Sequence, residues 1–158
     1  TPLIVHWPAG IPKARSGRLE HQPGHLIDLM ATVVEISGAT YPDEFNGKAI
    51  NPLEGVSLLP AFSGKPLQRA EPIFFEHEGN RAIRFGKWKL VSKYMDGWEL
   101  YDLEADRTEL NSLTERHPEV VKDLSARWEA WAKRTHTDQW VGPRRNDWGE
   151  VPESKSQN

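Results

Sequence analysis

One stretch limits the folds open to this chain more than any other: residues 74–101, FFEHEGNRAIRFGKWKLVSKYMDGWELY. Apolar and polar residues alternate along 81–85 and again along 87–91, the period-two signature of a half-buried sheet. Ile83 and Phe85 fall on one face, Ala82 and Arg84 on the other. Trp88 and Leu90 are in phase, as are Trp98 and Leu100. Three turn signals interrupt the pattern: Glu78-Gly79-Asn80, Phe85-Gly86-Lys87 and Asp96-Gly97. In each, Gly stands where a positive φ is expected, and Asp-Gly is a strong hairpin signal. The stretch therefore predicts antiparallel strands joined by tight turns. Its first turn gathers Glu76, His77, Glu78, Asn80 and Arg81, the first place to look for chemistry.

The remainder supplies helices and connections. Residues 3–7 form an apolar run without alternation, ended by Trp7-Pro8-Ala9-Gly10, and predict a strand buried on both faces of a parallel sheet. Such a strand needs neighbours, and few other candidates follow, so most of that sheet is expected upstream of residue 1. Pro23-Gly24 leads into a predicted helix ending near Gly38. Its Leu26, Ile27, Leu29, Met30, Val33, Val34 and Ile36 cover most of the circumference and predict a largely buried helix. His25, Asp28, Thr32 and Glu35 form one polar stripe. His25, with Asp28 one turn on, reads as a satisfied structural residue before a ligand or an acid/base group. Residues 41–60, rich in Pro, Gly and Asn, read as an irregular connection. Pro118 starts a second helix, with Val121, Leu124, Trp128 and Trp131 on one face to cover the sheet. At apolar-stripe positions the two Trp residues read as core before they read as a sugar platform. Residues 141–158 read as a polar, flexible tail.

Composition excludes some classes. With 158 residues the chain can bury a core. No apolar run reaches the roughly 20 residues of a membrane span. A net charge of −3 argues against bulk nucleic-acid binding. Residues 81–93 nonetheless hold five basic residues and no acid, while 96–123 are dominated by acids. Solvated faces explain this, with a surface for an anionic ligand as the alternative. Zero cysteines exclude disulfides and a cysteine nucleophile within these residues. There is no Ser-His-Asp arrangement, no phosphate-cradling Gly loop and no paired-His metal spacing. The residues alone give an α+β chain with a polar, mixed-charge turn.

Five segments in order carry a resemblance: PLIVHWPAGI, GHLIDLMATVVEISGA, EHEGNRAIRFGKWKLV, WELYDLEADRTELNSL and a terminal helix. Together they resemble the C-terminal part of a sulfatase of the arylsulfatase type, over about residues 1–140. Ala31-Thr32 stands where that family usually has Pro-Thr. The resemblance implies an alkaline-phosphatase-like α/β fold. Residues 1–70 would hold the last strand and helix of the large catalytic domain and a connection. Residues 71–140 would form a C-terminal subdomain with an antiparallel sheet and a long helix.

The resemblance also implies a formylglycine nucleophile and a calcium ion held by Asp and Asn residues. Those motifs are absent here, so no catalytic or metal residue is assigned in this chain, and the chain alone is expected to be inactive. The implied partners are the N-terminal part of the same enzyme and a sulfated small molecule or glycan. The implied compartment is periplasmic or extracellular. Loops of the C-terminal sheet approach the active-site mouth in enzymes of this kind, which makes His77, Asn80 and Arg81 candidates for the substrate rim. Lys87, Lys89 and Arg84 are expected as strand residues facing solvent or a domain interface. A phosphodiesterase of the same superfamily and a stand-alone module for acidic glycans are the competing readings.

Overall fold

The computed structural model describes residues 2–137. The expected tail at 141–158 lies outside them. The chain divides into two compact units, Thr1–Ala70 and Glu71–Asn158.

In the second unit the alternating stretch forms β3 (Ile73–His77), β4 (Asn80–Phe85), β5 (Trp88–Ser92) and β6 (Glu99–Asp102). They make an antiparallel meander in the order β3-β4-β5-β6. Both tight hairpins follow the glycines. Glu78 and Gly79 take φ of 53° and 80°, the paired positive values of a type I′ turn, and Gly86 takes 56°. In the third turn the expectation fails by two residues. The left-handed position is Met95, φ 66°, and not Gly97.

Register explains the core. Ile83 lies opposite Leu90, and Leu90 opposite Leu100, so one row crosses three strands, and all three side chains are fully buried. The helix α3 (Pro118–Thr135) lays Leu124, Trp128 and Ala132, each one turn apart, on that row. Trp128 is core, as its position on the apolar stripe implies. Trp131 stacks on Phe74 with ring centroids 5.0 Å apart and planes 2° from parallel. The outer edge of β6 is closed by the following segment: Leu113 N–H donates to Leu100 O and Leu100 N–H donates to Thr114 Oγ1.

The first unit corrects two expectations. Residues 3–7 form no strand, and Ile4 is 90% exposed. Among the described residues no strand pairs with them, so no ladder takes up their backbone groups. The helix α1 (Asp28–Ser37), closed by Gly38 at φ 68°, is present, but its burial is inverted. Leu26, Ile27, Leu29, Met30, Val33 and Ile36 are exposed, whereas Asp28 and Thr32 of the polar stripe are buried.

The reason for this inversion is what covers the helix. Residues 55–58 lie across its start, and their N–H groups need acceptors. Asp28 Oδ1 accepts from Val56 N–H at 2.9 Å, and Thr32 Oγ1 accepts from Leu58 N–H at 2.9 Å. Asp28 Oδ2 takes His25 N–H at 2.7 Å and the Arg69 guanidinium. His25 is thus tied into the helix start, and burial pushes its imidazole below the ordinary value against the pull of Asp28. Gly55 permits the approach, because a Cβ there would sit 2.2 Å from Ile27 O.

The connection at 41–60 is less irregular than its composition suggests. It contains a hairpin of β1 (Glu44–Phe45) and β2 (Lys48–Ala49) around Asn46-Gly47, and then the short helix α2 (Leu59–Phe62). Asn-Gly is itself a type I′ signal, overlooked because the flanking strands are only two residues long.

Two predictions follow from these contacts. Asp28→Ala strands the Arg69 guanidinium and destabilises the full-length enzyme by about 3–5 kcal/mol. Hydrogen exchange at Val56 and Leu58 amides should accelerate with it, whereas unchanged protection would show that the carboxylate does not hold that segment. The second concerns acid. Asp102 is held below its ordinary value of 3.8 by the Lys87 ammonium, and Asp106 by the N–H groups of Asn111 and Leu110. A depressed folded-state pKa gives stability that is complete above about pH 5 and disappears as pH falls through the folded value, below 3.8. The difference in thermal midpoint between wild type and Asp106→Asn should therefore shrink between about pH 6 and pH 3.

Candidate functional site

The candidate site is the tip of the second unit, where the β3–β4 turn lies beside the β5–β6 loop. His77 closes β3 and Asn80 opens β4, paired across the turn. The turn holds itself shut: Gly79 N–H donates to Glu76 Oε1 at 2.8 Å, and Asn80 Nδ2 donates to His77 O at 2.8 Å. The His77 side chain is 84% exposed, its Nδ1 lying 3.9 Å from Glu78 Oε2.

Strand alternation separates the three residues singled out in the sequence. Arg81 is in phase with Ile83 and so lies on the face covered by α3. Its guanidinium carbon sits 4.3 Å from the Trp98 ring centroid and 5.4 Å from that of Trp128. Its Nη2 donates to Ser92 Oγ at 3.1 Å. His77 and Asn80 have the opposite phase and lie on the other face. The tip therefore brings His77 and Asn80 together, while Arg81 lies behind them in an aromatic stack.

A second loop belongs to this tip and was not picked out in the sequence. Asn80 Oδ1 accepts from Tyr94 N–H at 3.2 Å, coupling the β3–β4 turn to residues 93–97. The buried Ser92 hydroxyl is shared with Lys93 O at 3.1 Å and Asp96 O at 2.8 Å. Asp96 N–H donates to Lys93 O at 2.9 Å. The available signal was Tyr94-Met95, two large apolar-bodied residues placed directly before Asp-Gly.

Two of the five basic residues at 81–93 are paired with carboxylates within the unit. Lys87 pairs with Asp102 at 2.7 Å, and Lys89 grips Glu109 through both oxygens at 2.6 and 2.7 Å. Lys87 and Lys89 thus serve as partners for the acidic segment that follows, while Arg81 is stacked on aromatic rings. Among the described residues no three His, Asp or Glu side chains come together to hold a metal ion, so the residues present do not fit a calcium site. No helix among them is long and apolar enough to cross a membrane.

A sequence model of the family described as N-sulphoglucosamine sulphohydrolase, C-terminal, matches residues 1–134. The chain belongs to this sulfatase family. It is 28% identical over 141 residues to an uncharacterized sulfatase of Schizosaccharomyces pombe, covering 85% of this chain and 25% of that protein. It is 32% identical to a choline-sulfatase of Rhizobium meliloti, covering 72% of this chain and 21% of that one. An N-acetylgalactosamine-6-O-sulfatase of Bacteroides thetaiotaomicron is 29% identical, with 78% and 25% covered. The chain thus spans about a quarter of the length of these relatives. Among solved structures, Ps i-CgsB matches 85% of this chain and 29% of its own with a TM-score of 0.67 at 24% identity. A 2-O GAG sulfatase matches 70% and 25% with a TM-score of 0.50 at 22% identity. The four-stranded antiparallel sheet with its long terminal helix is the C-terminal sulfatase subdomain expected from the sequence.

The stack behind the tip gives a stability prediction. Arg81→Ala removes the cation–π contact and the Ser92 hydrogen bond, and should lower stability by about 1–3 kcal/mol. Arg81→Lys keeps the charge but not the planar stack, and should recover less than half of that loss in denaturant unfolding.

Proposed function

We propose that the whole enzyme containing these residues hydrolyses a sulfate ester, and that this chain supplies one wall of its substrate mouth. Membership of the sulfatase family supports the reaction class. The observation that supports the wall is the rigid tip, where His77 is presented to solvent while hydrogen bonds fix the backbone on both sides of it. An imidazole N–H there can donate to a sulfate oxygen or a sugar hydroxyl, and Asn80, which uses one amide N–H on His77 O, has a second for the same purpose in this proposal. Arg81 joins the rim in this proposal from behind, through its hold on Ser92 and the β5–β6 loop.

The nucleophile and the calcium ion are proposed to lie outside these 158 residues. When bound, such an ion offers positive charge to the sulfate oxygens. The substrate class that fits is a sulfated glycan or an aryl sulfate, and the proposed compartment is the periplasm or the exterior. The apolar surface of α1, with Val33 59% exposed and Met30 55% exposed, supports a further element of the reading. Solvent-facing side chains of this kind, repeated around a helix, are proposed to pack on the sheet of the large α/β domain of which α1 would be the last helix.

The test is His77→Ala in the full-length enzyme. KM for a sulfated monosaccharide should rise about tenfold with the thermal midpoint within about 1 °C of wild type. Loss of stability with unchanged KM would assign His77 to the turn alone. Release of phosphate from a diester in place of sulfate would overturn the reaction class.

A further inference from the structure

The left-handed backbone at Met95 is the least expected feature of the tip. A non-glycine residue at φ 66° carries about 1 kcal/mol of steric strain, and Met lacks the short polar side chain that eases it in Asn or Asp. Gly97, two residues on, does not take that role. The strain is held in place from several directions: Asn80 takes Tyr94 N–H, Ser92 takes part in two bonds to the loop carbonyls, and Arg81 fixes Ser92 from the core. The result is a tightly closed turn that places the Met95 side chain 78% in solvent. Tyr94 beside it is half-buried, and Asn80 links the two segments, accepting from Tyr94 N–H and donating to His77 O.

From this juxtaposition we propose that Tyr94 and Met95 are specificity-determining residues that contact the ring of the sulfate ester's alcohol portion, while His77 addresses its polar groups. The inference rests on the reading of the tip as a substrate wall and adds what that wall recognises. A phenol ring offers a flat face and a hydroxyl for a hexopyranose, and a thioether adapts to the C–H face of the same ring. Neither group carries a positive charge that would select for sulfate. Tyr94 and Met95 would therefore discriminate among esters mainly by their carbon skeleton, with the sulfate left to His77 and to groups outside these residues. Beyond its place at the rim, Asn80 positions this loop through the Tyr94 backbone.

The experiment uses the full-length enzyme with N-acetylgalactosamine 6-sulfate as substrate and inorganic sulfate as competitive inhibitor. Met95→Gly relieves the backbone strain while deleting the side chain, which separates recognition from turn formation. We expect an unchanged or higher thermal midpoint, a KM raised about tenfold, a kcat within about twofold, and an unchanged inhibition constant for inorganic sulfate. Tyr94→Leu should raise KM in the same way. Asn80→Ala should raise KM with a smaller rise in each of the loop variants when combined with them, because it acts through the same loop. Unchanged KM in both Met95→Gly and Tyr94→Leu overturns the assignment and leaves the substrate-wall reading standing on His77. A parallel rise in KM and in the sulfate inhibition constant also overturns it, since the loop would then shape the sulfate pocket. Release of phosphate from bis(4-nitrophenyl) phosphate, with sulfate released from neither this ester nor 4-nitrophenyl sulfate, overturns the parent reading, and this one with it.

Discussion

Trp128 is the contact on which the second unit depends. From α3 its indole N–H reaches Phe75 O on β3 at 3.1 Å, and its ring meets Trp98 edge-on at 6.0 Å just before β6. The Arg81 guanidinium of β4 lies against both rings. One side chain thus spans the sheet from its first strand to its last. A Trp placed in this way buries a large apolar area and also satisfies its single polar atom, a combination no aliphatic residue offers. The same arrangement carries order outward. Arg81 fixes Ser92, Ser92 fixes the β5–β6 loop, and Asn80 ties that loop to the hairpin bearing His77. The tip is stiff because the core behind it is.

The second unit was legible in the sequence because its signals are local. Period-two alternation fixes which residues face α3, and Glu78-Gly79 and Phe85-Gly86 fix where the chain reverses. Register then follows with little freedom, since a one-residue slip would expose Ile83, Leu90 and Leu100 together. Where the reading failed, a tertiary bond was stronger than a local preference. Asp96-Gly97 looked like the site of the positive φ, yet hydrogen bonds from Ser92 and Asn80 shifted it to Met95. No pattern within the turn encodes those bonds.

The first unit shows the opposite case. Periodicity described α1 correctly as apolar around most of its circumference, but it could not say which face the unit itself covers. That is decided by the N–H groups of residues 55–58, which must find acceptors when they lie on a helix. The polar stripe supplies them: Asp28 and Thr32 take the backbone of Val56 and Leu58, and Gly55 allows the approach. A buried carboxylate that accepts from two N–H groups and a guanidinium is well compensated for leaving water. The apolar side chains, which need no particular partner geometry, are left facing outward. Within this unit the covering loop takes the polar stripe, and the apolar face is left for the large-domain sheet that the proposal assigns to it.

The candidate residues obey the same logic. His77, Asn80 and Arg81 are neighbours in sequence, and proximity alone placed them in one group. Strand alternation sends Arg81 to the opposite face, and Trp98, seventeen residues further on, gives it a stack that the sequence of the turn does not contain. Two of the adjoining basic residues are paired at the surface, Lys87 with Asp102 and Lys89 with Glu109. A sheet that pairs its own cations offers little electrostatic attraction to a polyanion, and salt screens what remains. That weighs against a stand-alone module for acidic glycans. What such a sheet does offer is a fixed backbone: Asn80 joins the turn bearing His77 to the loop bearing Tyr94 and Met95, the arrangement from which the proposed contacts to the ring carrying the sulfate are argued.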